Sequence, residues 1–236
     1  MSTSKLPRPW DTFDAYLFDI DGTLLHCRDA VHYFAFCDVL TAIAGRPLNL
    51  DGVVTHGNTD TGILRDALRR AGIPDDAWRP RLSEIRRQMC DRVAAHQQDM
   101  CVEVLPQVKQ ILAGLRARGA VLGVATGNLE AIGTLKLRRA GLLDFFSFRG
   151  WSDACEDRAQ VFRHAVTQAR SLAGQNAAVC VVGDTPADIR AGRANDLCVI
   201  AVATGVHSRE ELEAAGPDWC VSSLQELTFS SQPLAA

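Results

Sequence analysis

Asp19 and Asp21 close an apolar run, Tyr16-Leu17-Phe18-Asp19-Ile20-Asp21-Gly22-Thr23-Leu24-Leu25, and are the first groups along the chain suited to chemistry. On a strand, residues i and i+2 share a side, so both carboxylates face one point before Gly22 lets the backbone turn. Neighbouring carboxylates repel unless a cation or a proton lies between them. Magnesium, a hard ion that prefers oxygen, is the usual occupant where phosphate is also handled. Two plainer readings compete. Asp-Gly is a common turn pair, and a calcium-binding loop counted from Asp19 puts Ala30 where a bidentate Glu is required, which excludes that loop.

A second acidic group, Gly183-Asp184-Thr185-Pro186-Ala187-Asp188, follows the apolar run AAVCVVG. Pro186 suits a first helical position, so Asp184 ends a strand and Asp188 sits in the turn behind it. Asp19, the backbone carbonyl of Asp21 and Asp184 then offer oxygen ligands from neighbouring strand ends, an arrangement suited to octahedral Mg2+, with Asp188 adding a further carboxylate. Thr126-Gly127-Asn128 follows the run AVLGVA. Its hydroxyl and the free N–H groups of the next helix suit a phosphate oxygen, although an ordinary helix cap explains the same residues.

Such a site also needs a cation, and the chain has three lysines, Lys5, Lys109 and Lys136. Lys136 is about eight residues into the helix after Thr126, roughly 12 Å along its axis, which predicts a structural role or one at a cap interface. Arg158 follows FFSFRG and opens a helix, where the dipole disfavours a cation unless an anion is nearby. Glu156 and Asp157 are plain partners; the functional expectation is that the guanidinium spans Asp19 and a phosphate, with Lys136 as the alternative.

The elements that carry these groups alternate. Apolar residues at helical spacing predict helices over about 29–44, from Thr59 to Gly72, and over about 76–99, with no strand among them. From Pro106 onward helices alternate with the runs AVLGVATG, FFSFRG, AAVCVVGD, LCVIAVATG and DWCV, which predicts an α/β fold with a Rossmann-like parallel sheet. Ligands of such sheets bind beyond the carboxyl ends of the strands. About 1–10 and 229–236 read as disorder-prone ends.

With 25 basic and 28 acidic residues the net charge is −3, so no global field attracts nucleic acid or an anionic membrane. A local patch of Arg79, Arg81, Arg86, Arg87 and Arg92 is interrupted by Glu84 and Asp91 and reads equally as a solvated helix face. No leader-like or membrane-spanning apolar run occurs, which predicts a cytoplasmic protein. The eight cysteines are dispersed and expected to be reduced, mostly buried thiols; His26-Cys27 lacks the further ligands of a zinc site. No Gly-x-Gly-x-x-Gly follows a strand, which argues against a dinucleotide-binding enzyme.

Taken together, Asp19-Ile20-Asp21-Gly22-Thr23, Thr126, a basic residue and Gly183-Asp184-Thr185-Pro186-Ala187-Asp188 resemble the four motifs of the haloacid dehalogenase superfamily, most closely its phosphoglycolate phosphatase and phosphoglucomutase branch. The resemblance implies a magnesium-dependent phosphatase acting on a small phosphorylated metabolite, as a monomer or homodimer. It implies Asp19 as nucleophile, Asp21 as general acid and base, Thr126 and Arg158 on the transferring oxygens, and Gly22, Thr23, Gly127 and Asn128 at the phosphate. It also implies a catalytic core over 1–25 and 101–236 and an all-helical cap over 26–100, whose turn HGNTD would bring Thr59 and Asp60 to the substrate. The family's basic residue is usually a Lys followed by Pro, and this chain has no Lys-Pro. Phosphoryl transfer to a second substrate, and non-catalytic phosphate binding, are the alternative functions.

Overall fold

The computed structural model describes residues 4–230. β1 (Ala15–Phe18) runs into the Asp19–Asp21 corner, and β2 (Leu25–Cys27) leaves it. Three helices follow, α1 (Val31–Ala44), α2 (Asp60–Arg70) and α3 (Leu82–Ala95), before β3 (Val102–Val104) returns. The rest alternates: α4 (Val108–Ala117), β4 (Val121–Ala125), α5 (Glu130–Arg139), β5 (Phe148–Gly150), α6 (Arg158–Ala173), β6 (Val179–Gly183), α7 (Pro186–Arg193), β7 (Cys198–Val202), α8 (Arg209–Ala214) and β8 (Trp219–Val221).

Six strands form one sheet in the order β5-β4-β1-β6-β7-β8, with every pairing parallel. Strand alternation sends Tyr16 and Phe18 to one face, with Leu112, Leu137 and Val182, and Ala15 and Leu17 to the other, with Phe162, Val181 and Ile189. Helices therefore cover both faces, and β1, buried along its whole length, is the centre of the sandwich. Phe18 pairs with both Val124 and Val182, so β1, β4 and β6 end level. Asp19, Thr126 and Asp184 consequently emerge side by side at the carboxyl edge.

α1, α2 and α3 share their own apolar cluster, built on Phe36, Leu40, Leu64, Leu68, Trp78, Ile85 and Met89. That cluster also includes Leu129 and Ile132 of the α5 region, so the helical segment shares apolar packing with a helix of the sheet layer. α2 starts where the Thr59 side chain accepts from Gly62 N–H, and α1 stops at Gly45, whose φ of 67° is the left-handed end that glycine tolerates.

Three sequence expectations need correction. β2 and β3, two strands not anticipated, pair antiparallel at the ends of the helical stretch, within which no strand was expected; LHC and VEV are too short for alternation to register, and they lie far apart in sequence. The helix expected over 76–99 is two 3-10 turns (Asp75–Ala77 and Arg79–Arg81), then α3, then another 3-10 turn, because Pro80 supplies no N–H for a longer helix. Of the N-terminal stretch expected to be disordered, Trp10 is packed and Leu6 partly so, while residues 4, 5 and 7–9 are exposed. Trp10 is 7% exposed, donates from its indole to Thr228 O at 2.9 Å and lies 5.0 Å from the Phe229 ring; residues 1–3 and 231–236 lie outside the described residues.

All eight cysteines are free thiols, but only Cys155, Cys180 and Cys220 are buried, fewer than expected. The arginine patch is answered from nearby: Arg81 by Glu84, Arg87 by Asp91, Arg92 by Asp38, Arg86 by Thr61, and Arg79 by Asp75 and Glu156. Among the described residues no helix is long and apolar enough to cross a membrane.

Trp10→Ala should cost about 3 kcal/mol or more by opening a cavity and orphaning the Thr228 carbonyl, lowering the melting temperature by roughly 6 °C or more. Thermal denaturation followed by circular dichroism tests it; an unchanged transition would mean that residues before Asp14 do not brace the core.

Candidate active site

The ends of β1 and β6 concentrate negative charge. Asp19, Asp184 and Asp188 are buried, and each presents an oxygen within 4.8 Å of the others. Asp184 is held from three sides. Thr23 donates its hydroxyl to Asp184 Oδ1 at 2.9 Å, while Gly22 and Gly205 back against the carboxylate so closely that a Cβ at either would overlap it. Gly22 also has a φ of 85°. Asp188 accepts from Arg158 Nη2 at 2.6 Å and Nε at 2.9 Å, and from the Thr185 hydroxyl and N–H in the capping box that starts α7.

Arg158 Nη2 also stands 2.9 Å from Asp19 Oδ1, close enough to pair but out of line for a hydrogen bond, so that buried oxygen has no donor. Burial pushes Asp19 up to about 6, with Asp188 and Asp21 adding repulsion and Arg158 opposing it. Burial raises Asp184 well above the carboxylate range too, with Asp19 and Asp188 adding to it. One orphaned oxygen among three crowded carboxylates fits a hard divalent cation that prefers oxygen ligands. Asp19 and Asp184 would hold such an ion, with Asp188 beside them.

A second network lies on the β4 side. Lys136 Nζ donates to Asp21 Oδ2 at 2.7 Å, to Asp21 Oδ1 at 2.9 Å and to Asn128 Oδ1 at 2.8 Å. Asn128 Nδ2 reaches both Asp21 Oδ2 at 2.8 Å and the Thr126 hydroxyl at 2.9 Å. Burial alone would raise Asp21, but the Lys136 charge and the bonds from Lys136 and Asn128 outweigh it and hold the carboxyl below its usual range. The expectation that Lys136 lies too far away is therefore overturned. Distance along the helix axis neglected that helical side chains lean back toward the N-terminus, and the long lysine stem spans the rest. Both cations belong to the site: Arg158 beside Asp19 and Asp188, Lys136 beside Asp21.

Other assignments shift as well. Thr126 and Asn128 do not cap α5, whose N-cap is Leu129; they form the loop before it. The Thr23 hydroxyl is engaged by Asp184, and Thr23 does not line the cavity. Thr59 and Asp60, expected at the substrate, are joints of the chain. The Thr59 hydroxyl donates to Glu156 O at 2.8 Å, and Asp60 accepts from Leu129 N–H at 2.8 Å and donates its own N–H to Gly127 O at 2.7 Å. Gly127 is required there because a Cβ would overlap the Asn58 carbonyl. Asp60 still borders the cavity, and Thr59 does not. Glu156 pairs with Arg79 and Arg65, and Asp157 caps α6, so neither is the anion beside Arg158.

A cavity of about 490 Å³ opens above both networks. Asp19, Asp21, Asp184, Lys136 and Arg158 form its floor; Tyr33, Phe36, Leu50 and Ile63 from the helical segment line it as well. His32 was not anticipated. Its Nε2 is 3.4 Å from Asp60 and its Nδ1 is 3.5 Å from Lys136, and no sequence signal beyond its place in α1 marked it. Thr204 and Gly205 were also missed, although they repeat the strand-then-Thr-Gly pattern of Thr126-Gly127.

A family model described as haloacid dehalogenase-like hydrolase matches residues 16–202. The chain is 30% identical over 219 residues to a phosphoglycolate phosphatase of Synechococcus elongatus, covering 90% of this chain and 94% of that one. It is 28% identical over 156 residues to the pyrimidine 5'-nucleotidase YjjG of Escherichia coli, covering 64% and 67%. The fold is similar to that of CbbY from Rhodobacter sphaeroides in complex with phosphate, with a TM-score of 0.67 and 21% identity over 92% of this chain and 96% of that one.

Asp19 binds its proton more tightly folded than unfolded, so the stability it contributes is fully present below its ordinary value of 3.8 and is lost as pH rises through about 6. Metal-free protein in EDTA should therefore melt at lower temperature as pH increases from 5 to 8. Asp184→Asn removes one repelling charge and should flatten that decline relative to the parent chain. Parallel pH-dependent slopes for the two proteins would exclude the repulsion.

Proposed function

The chain belongs to the haloacid dehalogenase-like hydrolases, and from that premise we propose that it is a magnesium-dependent phosphatase of small phosphomonoesters, with 2-phosphoglycolate as the reference compound. The observation that carries the reading is the pairing of a buried, donor-poor carboxylate, Asp19, with a second carboxylate, Asp21, on one cavity floor that also holds Arg158 and Lys136. Relatives named phosphoglycolate phosphatase support the substrate class.

In this mechanism Asp19 attacks phosphorus and the P–O bond to the alcohol breaks, leaving an aspartyl phosphate. Arg158, already beside Asp19, neutralises charge on the transferring oxygens, and the Thr126 hydroxyl with the loop N–H groups after β4 supports them from the other side. Asp21 gives a proton to the departing alkoxide and then takes one from the water that hydrolyses the acyl phosphate. Lys136 and Asn128 hold Asp21 in place and favour its ionised form, the form the water step requires. Asp19, the Asp21 backbone carbonyl and Asp184 would hold Mg2+, and the ion would supply neutralisation of the charge that develops during transfer.

The segment 26–100 acts in this reading as a cap over a core of 1–25 and 101–236. Its loop at 57–60 is fastened to Gly127, Leu129 and Glu156, and its helices contribute the wall facing the substrate body. Eight free thiols fit a reducing, cytoplasmic setting.

Asp19→Asn should abolish turnover while the protein still melts cooperatively, since an amide is no nucleophile. Asp21→Asn should slow hydrolysis of an alkyl phosphate by roughly 100- to 10,000-fold and that of p-nitrophenyl phosphate much less, because nitrophenolate leaves without a proton. Steady-state assays with Mg2+ decide both; activity retained in Asp19→Asn would end the reading.

A further inference from the structure

The cavity has two ends of different chemistry. Lys136 and Arg158 are the lysine and arginine that line it among the described residues, and both lie at the floor, already engaged by Asp21 and by Asp19 and Asp188. The wall from the helical segment is mainly apolar: Tyr33, Phe36, Leu50 and Ile63, with the His32 ring stacked on Phe36 at 4.9 Å and 25° and its Nδ1 3.5 Å from Lys136 Nζ. His26 and His56 also border the cavity and bring imidazole hydrogen bonding rather than a permanent cation. The remaining charged groups lining the cavity, Asp29 and Asp60, are carboxylates, with Asp29 accepting from Val31 and Cys101 N–H and Asp60 from Leu129 N–H.

A substrate with a second anionic group on its alcohol would carry it into this wall. There it would meet two like charges and, beyond the Lys136 already paired with Asp21, no further lysine or arginine among the described residues, and a carboxylate removed from water without a partner is strongly disfavoured. An uncharged body gains instead from apolar burial and from ring contact with Phe36, His32 and Tyr33. Size points the same way. A cavity of about 490 Å³ falls within the ~300–1,000 Å³ of sites that enclose drug-sized ligands, a class to which the two-carbon glycolate does not belong.

We propose that the preferred substrate is a phosphomonoester whose leaving alcohol carries an uncharged, ring-sized apolar body in place of the carboxylate of phosphoglycolate. The proposal rests on the phosphatase reading above and narrows its substrate class.

The test compares kcat/KM for methyl, butyl and benzyl phosphate and 2-phosphoglycolate with saturating Mg2+. All four are esters of primary alcohols, so differences report mainly the body. kcat/KM should rise from methyl to benzyl phosphate by roughly tenfold or more, and benzyl phosphate should exceed phosphoglycolate by a similar factor. Tyr33 is 40% exposed on α1; Y33R, which adds a cation to this wall, should move the benzyl-to-phosphoglycolate ratio about tenfold toward phosphoglycolate. Phosphoglycolate hydrolysed faster than benzyl phosphate by the parent enzyme overturns the proposal and leaves the phosphatase reading intact. An unchanged ratio in folded Y33R also overturns it. If none of the four esters is hydrolysed, both readings fall.

Discussion

Electrostatic crowding at the ends of β1 and β6 is the constraint on which the rest of the site depends. Three carboxylates share one buried space, and among the described residues Arg158 is the cationic side chain paired with them, opposing their repulsion. The fold keeps them there because β1 is locked between β4 and β6 in level register, so retreat of Asp19 or Asp184 would disrupt two fully buried strands, β1 and β6. Glycines at 22 and 205 and the Thr23 hydroxyl remove the remaining freedom of Asp184. Charge is thus stored in a rigid frame, the condition under which a cation or a phosphoryl group is bound strongly.

The two cations divide this field. Arg158, planar and able to donate along several directions, serves Asp188 fully and Asp19 in part, leaving one Asp19 oxygen available. Lys136, a point charge on a flexible stem, sits between both oxygens of Asp21 and the Asn128 amide. The neighbouring aspartates are accordingly driven in opposite directions, Asp19 upward and Asp21 downward. Such divergence separates the work of two otherwise identical side chains.

The helical segment is coupled to this frame by hydrogen bonds to backbone groups and by the ion pairs of Arg65 and Arg79 with Glu156. Asp60 N–H on Gly127 O, Leu129 N–H on Asp60, and the Thr59 hydroxyl on Glu156 O tie the start of α2 to the loops that carry Thr126 and Arg158. Leu129 and Ile132 extend the apolar cluster of the segment into the α5 region, which presents Lys136. A displacement of α2 would therefore be felt at both cations, and in the proposed mechanism this links substrate fit at the cap wall to the geometry below it.

The α/β alternation, the parallel sheet and the acidic residues at its carboxyl edge were legible in the chain because each is a local pattern. Continuous apolar runs mark strands buried on both faces, and Asp19, Asp21 and Asp184 stand directly at the ends of two of them. Arg158 was legible for a similar reason, being a cation at a helix start that demands an anion. The roles of Lys136, Thr23, Thr59 and Asp60 were not, since each is decided by what lies opposite in space: the backward lean of a helical lysine, a carboxylate 161 residues away, a carbonyl on another loop. The pairing of β2 with β3, the packing of Trp10 against Phe229 and the apolar side chains of the cavity wall share that origin. Local sequence determines the strands and where their ends carry charge; which side chains are left free to act there is decided by long-range contacts, and those exist only once the chain has closed on itself.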